Sequence, residues 1–137
     1  ILYDSGNAKL RPEAYMALDK VAEVLKGGVP DSNIGIEGHT DDQPIKYSSW
    51  KSNWELSAAR ALGVLHYLID KGGIVPARLS VSAFGEYQPV APNGTKEGSQ
   101  LNRRVEIVIL PVLNKERKEI PQDADNKLPE QPAENLK

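Results

Sequence analysis

No cysteine occurs among the 137 residues of the chain. A disulfide frame, a thiolate nucleophile and a cysteine-ligated zinc are therefore impossible. A chain without thiols suits an oxidising compartment as well as a reducing one. Charge of one sign is also missing: 17 Lys and Arg face 19 Asp and Glu, for a net charge of −2. Nothing in that balance favours a phosphate backbone, so a nucleic-acid partner is not expected. No apolar run approaches the ~20 residues of a membrane-spanning helix, and no signal peptide is visible. No repeat of 20–50 residues is present, which excludes a solenoid. No G-x-S-x-G elbow accompanies the serines, so a hydrolase triad has no motif behind it.

What is present is ordinary for a soluble globular domain, with 39% hydrophobic and 26% charged residues. The length suits one core and is too short for two comfortable domains. The opening ILYD has strand-like residues with no cap, tail or initiator Met before it. It reads as the start of a piece of a longer protein, so an anchor or export signal would lie outside the chain.

Helix and strand periods alternate along the sequence. Pro12 and Glu13 suit a first helical turn, and Ala14, Leu18, Val21 and Leu25 form one apolar stripe behind them. Gly27, Gly28 and Pro30 end that helix. Ile34 and Ile36 alternate with Gly35 and Glu37 as a short strand running into GHTDD at 38–42. Residues 43–51, with Pro44, read as a loop. Ser52 and Glu55 are spaced as a capping box. The helix they open carries Ala58, Leu62, Leu65 and Ile69 on the stripe expected to face the core, and stops at Gly72-Gly73. Residues 78–83 alternate as a strand, 85–98 read as a long loop, and 103–110 as the last strand. From residue 111 the composition turns to Lys, Glu, Gln, Asn and Pro without apolar period, which reads as a flexible tail over 111–137. The expected order is β-α-β-α-β-β, an α+β two-layer sandwich in which two long helices cover a mixed sheet.

The polar candidates gather at GHTDD and at the second helix. Asn53, Ser57 and Arg60 are spaced four and three apart, on one helical face near the N-terminus. With the core assigned to Ala58, Leu62 and Leu65, that face is expected to point outward. Asp41 and Arg60 can then face one pocket. A carboxylate and a guanidinium that do not neutralise each other make a receptor for a zwitterion: one takes an ammonium, the other a carboxylate bidentately. An ordinary salt bridge between the two is the competing explanation, and spacing alone does not separate them. His39 beside Asp41 and Asp42 raises a metal site, but the only other histidine is the distant His66, so no metal site is expected. Adjacent Asp41 and Asp42 side chains should diverge from a strand end, which argues against a paired-carboxylate acid–base site. Tyr47, Trp50 and Trp54 near the loop fit packing better than a sugar-stacking platform.

Taken in order, IEGHTDD, SNWELSAARA, LSVSAFGEYQPVAPN and KEGSQLNRRVEIVI resemble the OmpA-like peptidoglycan-binding domain, over residues 1–110. The form TDDQPI…SNWELSAARA, with a longer loop after the aspartates, most resembles the periplasmic C-terminal domain of the flagellar motor stator B subunit. The resemblance implies a noncatalytic domain without cofactors that holds the peptidoglycan stem peptide, glycan or both. Matched by motif, Asp41 takes the ammonium of diaminopimelate and Arg60 its carboxylate, with Thr40, Asn53, Leu56, Ser57, Arg103 and Asp4 as further pocket residues. It further implies a periplasmic anchor, a homodimer, and a stator A-type membrane subunit as partner through a missing N-terminal region that carries the inner-membrane anchor. An envelope anchor outside the motor is the alternative, and a wall-active hydrolase using Asp41 or Asp42 a more distant one. Two departures stand out: the loop between Asp41 and Asn53 is longer than the family's, and Ser99 occupies a position usually held by arginine.

Overall fold

The computed structural model describes residues 3–45 and 49–111. The tail expected over 111–137, apart from Pro111, the first two residues of the expected opening strand, and Tyr47 of the expected loop lie outside them. In chain order the elements are α1 (Pro12–Gly27), β1 (Ile34–Gly38), α2 (Asn53–Asp70), a 3-10 turn (Pro76–Arg78), β2 (Leu79–Ala83), α3 (Lys96–Asn102) and β3 (Val105–Ile109). The sheet runs β2-β1-β3, with β1 parallel to β2 and antiparallel to β3. Parallel pairing of β1 with β2 demands a long crossover, and α2 supplies it. The result is the mixed α+β sheet with two long helices that the pattern called for.

One expected strand is not assigned among the described residues. Tyr3 donates its N–H to the Arg103 carbonyl at 3.0 Å, a backbone link where a strand edge was expected. Its ring is buried in the core, with the hydroxyl donating to the Arg60 carbonyl.

α1 forms as its pattern dictates, with Pro12 in the first turn, Glu13 at the positive end and Lys26 at the negative end. Ala14, Leu18, Ala22 and Leu25 are buried. The carbonyl of Leu25 in its last turn, and two carbonyls of the chain just beyond it, are gathered by Arg78, expected in a strand but placed in the 3-10 turn. That guanidinium donates to the carbonyls of Leu25, Val29 and Ser32 and so satisfies groups that a helix end leaves open.

α2 is capped at Ser52, whose hydroxyl oxygen accepts from the Trp54 N–H at 3.1 Å and whose O–H donates to the Glu55 carboxylate. Its buried face is not the expected one. Leu56, Ser57, Arg60, Ala61, Val64 and Leu68 are buried, while Leu62 is 43% exposed and Ala58, Leu65 and Ile69 are only partly covered. The helix is rotated by about one residue, roughly 100°, from the stripe read in the sequence. Both stripes are apolar enough to pack, and Arg60 argued for the wrong one.

The rotation lets α2 press its backbone onto the sheet. A Cβ at Gly38 would meet the Ser57 carbonyl oxygen at 1.9 Å, so only glycine permits this approach at the end of β1. Above β1, Ile34 and Ile36 join Leu18, Leu25, Val64, Leu68, Ile74 and Val105 in one core.

α3 begins inside the loop expected over 85–98 and continues to the start of the last strand. Thr95 caps it by accepting from the Gly98 N–H at 3.0 Å. Asn102 ends it, wholly buried, and its side chain organises the preceding loop. Its carbonyl oxygen accepts from Val90 N–H at 2.8 Å and Ala91 N–H at 3.2 Å, and its amide donates to the Ala91 carbonyl and to Asn93 Oδ1.

Candidate functional site

GHTDD leaves β1 at the C-terminal end of the sheet, where the first turns of α2, the chain at 84–87 and the residues just before β3 converge. His39 N–H continues the pairing with β3 by donating to the Arg104 carbonyl at 2.9 Å, and Thr40 N–H donates to the Gly85 carbonyl at 2.8 Å. Gly85 adopts φ +60, a left-handed conformation suited to glycine, and its N–H donates to Ser57 Oγ at 3.0 Å. Ser57 in turn donates to the Trp54 carbonyl at 2.8 Å. Strand end, loop and helix are thus locked around residue 41 by backbone groups that carry no sequence signature.

Asp41 is 4% exposed and fully engaged. Its Oδ2 accepts from Arg103 Nη1 at 2.9 Å, and its Oδ1 from the Gln43 N–H at 3.1 Å. Its backbone carbonyl accepts from Thr40 Oγ1 at 2.8 Å and from the Asn53 amide at 3.5 Å. Asn53 also donates to the Gln43 carbonyl at 3.2 Å. Arg103 is held in turn by donating from Nε to the Tyr3 carbonyl at 2.9 Å, and its side chain is 16% exposed. Asp42 is exposed, whereas its neighbour is buried.

Arg60 departs most from the sequence reading. It is 0% exposed, not outward-facing. Its guanidinium donates to three backbone carbonyls: Asn7 from Nε at 2.9 Å, His39 from Nη1 at 3.0 Å and Asp4 from Nη2 at 3.0 Å. Its central carbon sits 4.9 Å from the centroid of the Tyr3 ring. Burial pulls its pKa down to about 10, against the opposing influence of Tyr3 and Asp41, and it stays a cation at neutral pH. So Asp41 is directly neutralised, by Arg103 rather than Arg60, and Arg60 pins the N-terminal segment onto GHTDD.

The remaining candidates surround this pair. Thr40, Ser57 and Leu56 are buried, Asn53 is half-buried, and the Asp4 side chain is exposed, 4.0 Å from Arg11. Asp4 and Asn7, whose carbonyls hold Arg60, also line an open cleft of about 390 Å³ with Lys9, Arg11, Glu13 and Tyr15. The structure therefore brings Asp41, Arg103, Thr40, Asn53 and Ser57 together, and Arg60 joins them from beneath. Sequence reasoning missed Asn7, Gln43 and Gly85, which act through backbone atoms. Ser99 is buried and donates to the Asn93 carbonyl at 2.9 Å, so the departure from arginine is absorbed into loop packing.

His39 does not join the aspartates. It is 2% exposed and stacks on Phe84, with centroids 5.1 Å apart and the planes 10° from parallel. Burial, and then the charge of Arg104, hold its pKa below the ordinary histidine value, with Glu106 opposing. Trp54 and Tyr87 stack at 5.1 Å on the surface beside Gly85, with 48% and 64% exposure.

A model of the OmpA family matches residues 2–103. Motility protein B of Bacillus subtilis is 43% identical over 111 residues, covering 81% of this chain and 42% of that protein. The peptidoglycan-binding protein ArfA of Mycobacterium tuberculosis is 38% identical over 109 residues, 80% of this chain and 32% of that protein. The chain thus spans less than half the length of these curated relatives. Among solved structures, the C-terminal domain of Helicobacter pylori MotB superposes with a TM-score of 0.77 at 30% identity, covering 82% of this chain and 84% of that one.

Proposed function

The chain belongs to the OmpA family, and on that premise we propose that it is a noncatalytic peptidoglycan-binding domain that ties a membrane complex to the cell wall. The complex we favour is the flagellar motor stator, given the similarity to motility protein B. In this reading the domain works in the periplasm as a homodimer. The rest of the longer protein carries the inner-membrane anchor and meets a stator A-type subunit.

The observation that carries the binding reading is Asp41. A carboxylate buried at a strand end, with its carbonyl and both oxygens held in fixed directions, is a preorganised acceptor for an ammonium group. The stem peptide of peptidoglycan offers an amino-acid zwitterion. Its ammonium would displace Arg103 from Asp41, and the freed guanidinium of Arg103 would take up carboxylate. Arg60 serves from behind. Three of its five N–H groups are committed to carbonyls, which leaves two for a ligand carboxylate. Arg60 is fully buried, so reaching those two requires the exposed turn at residues 4–7 to move aside. Thr40, Asn53, Leu56 and Ser57 shape the floor, and Asp4 the rim.

Co-sedimentation with insoluble peptidoglycan tests the reading. Wild type should pellet with the wall and release no soluble fragments, whereas a wall hydrolase would release them. Asp41→Asn keeps the shape and removes the charge. It should lose about 2 kcal/mol of binding, roughly thirtyfold, because a ligand ammonium is left without its counter-charge. Undiminished pelleting by folded Asp41→Asn would overturn the site. A full-length gene product without an N-terminal membrane helix bearing an aspartate would remove the motor and leave the anchor.

A further inference from the structure

The sheet face turned away from the core carries a second cluster of ligating groups, apart from the Asp41 site. Because side chains alternate along a strand, Glu37 and His39 lie opposite Ile34 and Ile36. Glu37 on β1 is paired directly with Glu106 on β3, and His39 follows two residues later. We propose that Glu37, His39 and Glu106 form a binding site for a first-row divalent cation of the zinc type.

Three observations point to a cation. One carboxylate oxygen from each glutamate and a ring nitrogen of His39 all lie within 4.8 Å of one another. Two carboxylates directly opposite on neighbouring strands repel each other, an arrangement that a bound cation turns from cost to advantage. The third observation is independent of the acids. His39 is 2% exposed, and neither of its ring nitrogens has a hydrogen-bond partner among the described residues. Buried polar atoms without a partner are rare, and an imidazole facing two carboxylates is a ligand set in want of a metal.

Arg104 fits the arrangement and sets its strength. Its Nε donates to Glu106 Oε1 at 2.8 Å, while its other nitrogens are held by the Asn102 and Gln88 carbonyls. That leaves Oε2 of Glu106 for the metal and fixes the carboxylate plane, a role outer partners commonly play at metal sites. The guanidinium charge opposes a cation and weakens its binding. A tetrahedral site with bonds of ~2.1 Å needs ligand atoms ~3.4 Å apart, so the widest gap must close by about 1.4 Å. Glu106 is held by Arg104, so the half-buried Glu37 is the side chain that rotates inward to close it. An imidazole with carboxylates favours zinc over magnesium or calcium. Three protein ligands leave one position for water.

The test is calorimetric titration of Zn²⁺ into the full 137-residue chain after EDTA treatment, with the His39 ring nitrogens followed by long-range ¹H–¹⁵N NMR. Wild type should bind one Zn²⁺ and shift the His39 ring resonances, and excess Mg²⁺ should not compete. Glu37→Gln removes one ligand at a half-buried site without disturbing the Arg104 pair. It should weaken binding at least ~10-fold, while its metal-free melting temperature stays level or rises as the acidic pair is relieved. Zinc binding that Glu37→Gln leaves unchanged, or that bypasses the His39 resonances, would place the metal elsewhere and overturn the proposal. No zinc binding by wild type would do the same.

Discussion

Replacing Arg60 with alanine decides whether this residue is an exposed ligand arm or an internal clamp. An arm on a solvated helix face would cost no more than ~0.5 kcal/mol of stability when truncated. The structure calls for far more. The guanidinium satisfies three carbonyls, of Asp4, Asn7 and His39, at 2.9–3.0 Å, and the side chain is 0% exposed. An orphaned buried acceptor costs about 1–3 kcal/mol. Asp4 and Asn7 are exposed residues, so water can enter and recover part of the loss at their carbonyls; His39 is buried and recovers little. The desolvation already spent on the buried cation is returned on truncation, which trims the total further. About 4 kcal/mol remains, or a fall in melting temperature of ~15 °C or more for a domain of this size. Arg60→Lys keeps the charge but cannot span three carbonyls, and should lose about half as much. Urea unfolding followed by circular dichroism gives both values. If Arg60→Ala unfolds within 1 kcal/mol of wild type, the clamp does not exist.

Gly38→Ala should fail to give stable soluble protein, because its Cβ would sit 1.9 Å from a backbone oxygen that α2 cannot withdraw; a folded variant with an unshifted melting temperature would contradict the close approach. Asn102→Ala should cost about 2–3 kcal/mol and speed hydrogen exchange at Val90 and Ala91, whose N–H groups it receives; unchanged exchange there would show that the loop is held by other contacts. In metal-free buffer His39 adds a pH dependence whose sign is fixed by its depressed pKa. The unfolded chain takes up the proton first, so this contribution is complete above about pH 6.5 and stability declines as pH falls below it. His39→Gln should flatten that slope between pH 6.5 and 5, and an unaltered slope would assign it to other groups.

Much of the architecture was legible because local chemistry and tertiary context agree. Pro12, the Ser52–Glu55 capping pair and the alternating Ile34 and Ile36 each act within a few residues of themselves. α3 was not legible because seven residues with an internal glycine are too short to show a period, and Asn102 stabilises it by reaching back into the loop. The family motifs lay open in the order of IEGHTDD, SNWELSAARA and NRRVE.

By itself the sequence determined where the two long helices and the three paired strands lie, that Asp41 stands at a strand end, and that the chain carries the OmpA pattern. These follow from periodicity and motif, which need no knowledge of distant neighbours. Only the tertiary structure decided which face of α2 turns inward. It also decided that Asp41 meets Arg103, 62 residues away, instead of Arg60, and that Glu37 lies against Glu106. The physical reason is common to all three. Two apolar stripes on one helix pack almost equally well when taken alone, and a charge has no preferred partner until the sheet brings strands into register. The close approach at Gly38 and the three carbonyls waiting for Arg60 break that tie.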